Sequence, residues 1–366
     1  MRVQRGYKTE LDLNNVQITN CTKHAGAARY AFNWGLQQKK LAMDAKSKIP
    51  NAIELHKRLN KLKPTELPWM YEVSKCSPQE ALRNLDRAFT NFFAKRARFP
   101  KFKSKKNGIG GFRLTGTIKV EDGHVQLPRL GRLKLKERGY LPTNAKILSA
   151  TVSERAGHWF VSILVEEELE YTNQKDEYDV VGVDLGIKTL ATVSDGTKYD
   201  NPKPLRTKLR KLKRLGRAVS RKVKGSQNRK KAIGCLVRLY YRISNVRKDV
   251  LHKITTALAK TKRVVGIEDL NVAGMMRNRC LARSIADLGL GEWRRQLEYK
   301  GVWHGCRVVL VDRFFPSSKT CSACGLINEN LTLAVREWSC ECGIHHDRDE
   351  NASKNLEIVA ASLSET

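Results

Sequence analysis

The sequence predicts a multidomain protein of the α+β class, and three observations carry that reading. A chain of 366 residues is long enough for two or three domains with ample core. Residues 1–170 read as a strand, then helices, then a β-rich unit, and a polar linker over residues 166–178 sets the main boundary. Beyond it, short β-branched runs lie among helical patterns, and a cysteine cluster follows near the end.

The elements follow in order. Residues 1 to about 14 alternate enough for a strand. From about Thr22 to Ala45, a helix is marked by Ala28, Ala31, Phe32, Leu36 and Leu41 at helical spacing. Pro50, Pro64 and Pro68 punctuate a basic connector. Ser77-Pro78-Gln79-Glu80 reads as a helix start, with Ser77 as N-cap, Pro78 at the first position and Glu80 as the N3 carboxylate. Leu82, Leu85, Phe89, Phe92 and Phe93 then make one apolar stripe for helix packing. Residues 111–170 form the β-rich unit, with a hairpin turn at Gly123 and a closing strand over 159–165. Two further strands are predicted in the runs 181–186 and 263–270, with an Asp195-Gly196 hairpin after the first. Leu205, Leu209, Leu212 and Leu215 stripe a helix between them, and Ala352, Leu356 and Val359 mark a terminal one.

Charge narrows the partners. The formal net charge is +32, and nucleic acid is the natural counterion for it, because Lys and Arg release the counterions condensed on phosphates. No acid occurs between Asp200 and Asp249, against eighteen Lys and Arg. A solvated helix face mixes both signs to gain i,i+4 pairs. A face of one sign repels itself until an anion covers it, which nominates Lys208, Arg210, Lys211, Lys213 and Arg214. Residues 87–120 likewise hold ten Lys or Arg and no acid. There Arg98, Lys101, Lys103, Lys105 and Lys106 interleave with Phe99 and Phe102, a pattern suited to a nucleic-acid backbone plus base stacking. No apolar run resembles a signal peptide or a membrane span, so the expectation is a cytoplasmic, nucleoid-associated prokaryotic protein with no membrane partner, and a monomer.

Asp184, Glu268 and Asp349 are the candidate reactive groups. The first two each interrupt an apolar run, and the third follows the cysteines in Asp347-Arg348-Asp349. A carboxylate at the end of a buried strand is costly unless a cation compensates it. Mg²⁺ takes such hard oxygen ligands together with substrate phosphates, and two such ions activate water and stabilise the leaving oxygen in phosphodiester hydrolysis.

Cys321-Ser322-Ala323-Cys324-Gly325 and Cys340-Glu341-Cys342-Gly343 form two knuckles, a strong signal for structural zinc. The second knuckle is one residue short. A set of Cys321, Cys324, Cys340 and Cys342, a mixed set with His345 or His346 replacing one thiolate, and no metal all remain open. Cys21, Cys76, Cys235, Cys280 and Cys306 read as small buried apolar residues.

The carboxylates and cysteines together resemble the transposon-encoded TnpB family, RNA-guided nucleases related to type V CRISPR effectors. The stretches that carry the resemblance are 182–188, 266–272, 315–321 and 346–352, with weaker ones at 25–30 and 99–103. It implies an N-terminal wedge β-barrel (1–14 and 108–172) interrupted by a helical recognition insert (15–107). It implies next an RNase H-like RuvC nuclease domain (179–315 and 346–366) with an inserted target-binding zinc ribbon (316–345). It makes Asp184, Glu268 and Asp349 the catalytic triad, the family pattern favouring Asp349 over Asp347. Asp347 is then expected at the ribbon exit and Asp349 as a cap of the last helix. The implied cofactors are Mg²⁺, as two ions, structural Zn²⁺ and a guide RNA from the element end. The implied partners are double-stranded and single-stranded target DNA. The function so implied is RNA-guided DNA cleavage. A guide-dependent repressor that binds without cutting would lack a triad acid, and a DDE transposase would place Glu last; neither matches this sequence.

Overall fold

A computed structural model describes residues 2–168, 179–332 and 335–364. They fall into two compact units divided between residues 169 and 170. Among the described residues no helix is long and apolar enough to cross a membrane.

The first unit opens with β1 (Arg2–Asp12) and α1 (Asn15–Asp44). The Asn14 side chain accepts from the Gln17 amide at 2.9 Å and Gln17 reaches back to the Asn14 amide, so a capping box starts α1 ahead of its apolar stripe. The same box at Asn51 starts α2 (Ala52–Leu62). In α3 (Cys76–Phe93) the expected cap is wrong: Ser77 lies inside the helix and its hydroxyl donates to the His24 carbonyl at 2.7 Å. Glu80 pairs instead with Arg83 and Arg113. Then come β2 (Gly111–Leu114), β3 (Lys119–Glu121), β4 (His124–Leu127), β5 (Gly131–Leu135), β6 (Lys146–Arg155) and β7 (His158–Glu168). These join β1 in a seven-stranded antiparallel sheet of order β2-β6-β7-β1-β5-β4-β3, sharing one core with the helices. Most of the expected linker, residues 169–178, lies outside the described residues.

The second unit is built on β8 (Val180–Asp184), β9 (Thr189–Val193), β10 (Lys198–Asp200), β11 (Val264–Glu268) and β12 (Arg307–Val311). Their order is β10-β9-β8-β11-β12, with β8, β11 and β12 parallel and β9 and β10 antiparallel. Between β10 and β11 run α4 (Pro204–Ser220) and the 35-residue α5 (Gln227–Thr261). Leu212 of α4 packs on Leu239 and Ile243 of α5, with Leu205 and Leu215 alongside, which uses the leucine stripe and leaves the cations outside. Short α6 (Val272–Met275) and α7 (Ala282–Leu288), then α8 (Leu290–His304), precede β12. The hairpin β13 (Glu337–Ser339) and β14 (His345–Asp347) leads into α9 (Arg348–Ser364). Of the single cysteines, Cys21, Cys76 and Cys306 are buried as expected, whereas Cys235 and Cys280 are exposed on basic surface segments.

One polar feature inside the second core had no sequence signal. Lys300 of α8 is buried and donates to the His252 carbonyl and the hydroxyls of Thr255 and Thr256 on α5, all within 2.8 Å. Burial holds its ammonium down at about 8.

Alternation decides which residues meet α9. Side chains two apart share a sheet face, so Val180, Gly182 and Asp184 face one way, as do Val264, Gly266 and Glu268. That face is the one α9 covers, since Val264, Val309 and Ala360 cluster there with Val180. Gly182 and Gly266 are register partners. A Cβ on Gly182 would stand 2.0 Å from the Ser353 carbonyl oxygen, and one on Gly266 would stand 2.7 Å from that of Leu356. The two glycines therefore let a helix backbone lie directly on two strands. Gly182→Ala and Gly266→Ala are each expected to lower unfolding free energy by about 3 kcal/mol, the upper end of overpacking costs, because backbone cannot move aside. Gly216→Ala in α4, where nothing lies within 4 Å, is expected to be neutral or stabilising. Chemical denaturation of the three variants measures the contrast.

Candidate active site

The close fit of α9 sets the geometry of the acids. From the Gly182–Ser353 contact, two strand residues lead to Asp184, about 6.6 Å away. Four helix residues lead back from Ser353 to Asp349, about 6 Å away. Asp184 and Glu268 end adjacent parallel strands, so all three carboxylates gather at one end of the sheet. Their mutual effect is visible at half-buried Asp184. Burial first, then the charges of Glu268 and Asp349, push its carboxyl up to about 7 against the pull of Arg348.

Each acid has a distinct support. Ser317 donates its hydroxyl to Glu268 Oε1 at 2.7 Å. Ser317 is buried, and its carbonyl accepts from Asn355 of α9 at 2.7 Å. Asn355 and Asn351 both donate to the Thr320 carbonyl, at 2.6 and 2.7 Å, and Asn351 Oδ1 accepts from the Ser322 amide. The loop ahead of the first cysteine is thus clamped to the helix that carries Asp349. Arg336 reaches Asp349 Oδ1 at 3.1 Å. Next door, Asp269 is held by Arg294 and Arg313, which keep its carboxyl below the usual range.

The expected cap is corrected. Asp347, not Asp349, caps α9: its Oδ1 accepts the amides of Asp349 and Glu350, both at 3.0 Å. Cap geometry needs the acid two or three residues before those amides, which only Asp347 satisfies. Asp349 is left with Arg336 on its oxygens, and its charge acts on Asp184.

The four cysteine sulfurs lie within 4.8 Å of one another. Cys324 and Cys340 are 3.6 Å apart and Cys321 and Cys342 are 3.8 Å apart. A tetrahedron with metal–sulfur bonds of about 2.3 Å has edges of about 3.8 Å. Both knuckles close on a glycine amide, Gly325 on the Cys321 carbonyl four residues back and Gly343 on the Cys340 carbonyl three residues back, each at 2.9 Å. Gly325 and Gly343 take φ of 79° and 86°, which the turns require. The shortened second knuckle therefore still turns correctly. His346 Nε2 lies 3.1 Å from Cys321 Sγ and stands outside the sulfur cluster. His345 contacts Ser339 and Glu337 instead. The amide of Cys342 favours the Cys340 thiolate, but burial and the crowding sulfurs of Cys342, Cys324 and Cys321 push that thiol up to about 12. At Cys321 burial is outweighed by the amides of Cys324 and Ala323 and by His346, which bring that thiol down to about 6.

Residues 150–279 match a family described as "Probable transposase", and residues 291–356 match the "Cas12f1-like, TNB domain". Relatives covering the chain are named "Putative RNA-guided DNA endonuclease". One from Streptomyces pristinaespiralis is 39% identical over 99% of this chain and 90% of its own length. Another, InsQ of Escherichia coli (strain K12), is 33% identical over 97% of this chain and 92% of its own. The chain belongs to the TnpB family. Its fold is also similar to that of a Cas12f1 chain in a cryo-EM complex with sgRNA and target DNA. The TM-score is 0.58 at 15% identity, covering 93% of this chain and 82% of that one.

Residues 1–48 of this TnpB chain match a family described as "Helix-turn-helix domain", yet here they form β1 and the unbroken α1. The sequence-predicted cations differ in what they do. Lys208, Arg210, Lys211, Lys213 and Arg214 project from α4 and are exposed. Arg98, Lys101, Lys105 and Lys106 are exposed too, but Lys103 lays its ammonium 4.0 Å from the Phe32 ring centre. Phe99 packs edge-on against Phe89 and Phe92, so it serves the core and not a base. Sequence reasoning gave no role to Ser317, Asn351 or Asn355. The Pro316-Ser317-Ser318 run and the Asn351-Ala352 pair were visible as motifs, but polar residues there carry no periodic signal of what they touch.

The cap assignment is testable by stability alone. Asp347→Ala is expected to cost about 1 kcal/mol, the worth of a helix N-cap. Asp349→Ala is expected to cost less, because it removes a like charge from beside Asp184 along with an exposed ion pair. Urea unfolding of both variants decides the order.

Proposed function

We propose that this TnpB chain is an RNA-guided, divalent-metal-dependent DNA endonuclease of a transposable element. The observation that carries the reading is the gathering of Asp184, Glu268 and Asp349 at one end of a five-stranded sheet by α9. The names of the relatives, RNA-guided DNA endonucleases matching nearly end to end, support it. On this reading the second unit is the RuvC-like nuclease.

The donor set fits Mg²⁺. Three carboxylates supply hard oxygen ligands, and their mutual repulsion at Asp184 is what a bound cation relieves. When bound, the metal supplies Lewis-acid activation of water and charge stabilisation at the leaving oxygen. The protein's own residues orient that chemistry. Ser317 fixes the rotamer of Glu268, Asp347 sets the first turn of α9 so that Asp349 faces its partners, and Arg336 steadies Asp349. Asp184 sits on the central parallel strand, where its backbone has least freedom.

Zn²⁺ fits Cys321, Cys324, Cys340 and Cys342, with His346 as an outer partner of Cys321. The cluster is closed by four sulfurs and its role is structural: it ties the segment between β12 and α9 into a ribbon. The first unit, a seven-stranded sheet with an α1–α3 insert, serves as the wedge barrel and recognition part. It and the α4 cations hold guide RNA and the heteroduplex, so that pairing reads the sequence and the protein reads a short flanking motif.

Purification is expected to yield protein with a structured RNA bound. Guide-loaded protein should cut a matched DNA in Mg²⁺, while Asp184→Ala, Glu268→Ala or Asp349→Ala lowers the rate about a thousandfold or more and leaves binding intact. Asp347→Ala should stay within about tenfold of the parent. RNA-free protein cutting a defined duplex site at full rate would sink the guided reading. Elemental analysis should find one zinc per chain, lost in Cys324→Ser together with order in the ribbon, because metal binding and local folding are one equilibrium.

A further inference from the structure

A small cavity of about 290 Å³ in the second unit is ringed by cations that the activity above leaves unused. Lys203, Arg206, Arg279 and Arg283 line it, with Asp287 at its base. The volume is at the low end of the about 300–1,000 Å³ of small-ligand pockets, which suits a phosphate with its sugar better than a larger ligand.

The single acid does not neutralise this ring. Asp287 is buried, and its two oxygens accept the Leu205 amide at 3.0 and 3.1 Å and the Arg206 amide at 3.1 Å. It also faces Arg247 at 3.6 Å. Its charge is thus spent on the start of α4 and on a cation outside the cavity. Among the described residues, no ion pair engages the side chains of Lys203, Arg206, Arg279 or Arg283. Four like charges around one concavity repel each other, and the arrangement is stable with an anion between them.

The backbone of the cavity wall is held under tension. Lys203 has φ 43° and ψ 51°, a left-handed conformation disfavoured for a residue with a side chain. Asn201 fixes it there: its Oδ1 accepts the Lys203 amide at 3.0 Å and its Nδ2 donates to the Ile187 carbonyl at 2.9 Å. Strain of this kind persists where the surroundings over-determine it, and it clusters at functional sites. Asn201 also ties the wall to the turn after β8, only three residues beyond Asp184. Arg279 follows Glu268 by eleven residues on the other side. Cavity and acids are therefore joined through two short connections.

We propose that this cavity docks one backbone phosphate of the DNA strand being cut, at a fixed number of nucleotides from the scissile bond, and so sets the cut position. The proposal rests on the nuclease reading. Arg279 and Arg283 act as positioning residues and do not touch the reacting atoms.

The test replaces one DNA phosphate at a time by a neutral methylphosphonate in a substrate given to guide-loaded protein at limiting concentration. One position away from the scissile bond is expected to lower wild-type cleavage about tenfold, the worth of a charged hydrogen bond. Arg279→Ala/Arg283→Ala should cut unmodified DNA about tenfold more slowly, lose sensitivity to that one replacement and scatter its cut positions. Arg279→Lys/Arg283→Lys should recover most of the rate. Arg279 and Arg283 are exposed, and unchanged thermal unfolding confirms an intact fold in each double variant. If the alanine pair keeps the wild-type sensitivity at every position, the proposal is wrong. If the coupled phosphate proves to lie in the guide RNA in a parallel walk, the assignment to DNA is wrong. If wild-type protein fails to cut unmodified DNA, the nuclease reading falls and takes this proposal with it.

Discussion

The contact on which the second unit depends is that of α9 with the backbone of β8 and β11. Helices usually rest on sheets through side chains, at about 10 Å between layers. Here Gly182 and Gly266, side by side in register, remove the spacer, and the Ser353 and Leu356 carbonyls sit where Cβ atoms would be. The gain is positional. A helix held off by an alanine can slide or tilt, whereas one seated on two strand backbones has one position. Because Asp184 and Glu268 follow those glycines by two residues on the same face, and Asp349 precedes Ser353 by one turn, the same contact that packs the helix sets the distances among the acids.

The clamp at the other end of the segment extends this logic. Asn351 and Asn355 are buried polar residues on a helix, an expensive placement unless each donor and acceptor is used. The Asn351 amide nitrogen donates to the Thr320 carbonyl, that of Asn355 to the Ser317 and Thr320 carbonyls, and Asn351 Oδ1 accepts the Ser322 amide, on the backbone that leads through the first cysteine knuckle. The cysteine cluster, the Ser317 hydroxyl on Glu268 and the first turn of α9 therefore form one connected network. Loosening the knuckle would release the loop, and the loop would release the support of Glu268.

Much of this was legible in the sequence, for a definable reason. Strands ending in Asp184 and Glu268 show as β-branched runs closed by an acid, and the knuckles show by spacing. Each is a local pattern with few competing explanations. The leucine stripe of α4 was legible as well, because Leu212 and Leu215 at helical spacing have one use. What stayed hidden is long-range or non-periodic. Asn14 and Gln17 make a capping box outside the usual Ser/Thr–Glu form, so α1 began before its stripe. Ser77 looked like a cap because Pro78 follows it, but the His24 carbonyl drew its hydroxyl inward. Lys300 is indistinguishable in sequence from a surface lysine, since its three acceptors come from a helix some 45 residues earlier. Phe99 sat among cations and read as a stacking ring, but two phenylalanines of α3 claimed it.

The electrostatics of the site carry the argument one step further. Three carboxylates at one point oppose folding unless something offsets them, and the chain provides only partial offsets. The N-terminus of α9 contributes the positive end of its dipole, with Asp349 and Glu350 in the first turn. Arg336 and Arg348 add charge from the ribbon side, and Lys198 of β10 pairs with Glu350. The charge of Arg348 pulls the Asp184 carboxyl down, but burial and the charges of Glu268 and Asp349 outweigh it, and the group rises to about 7. The acid raised in this way sits on the central strand of the sheet. A chain carrying a net charge of +32 has cations to spare, yet it leaves this acid only partly offset. On the proposed nuclease reading, such a site is preorganised for a divalent ion, and the surrounding excess of positive charge draws the phosphate backbone towards it.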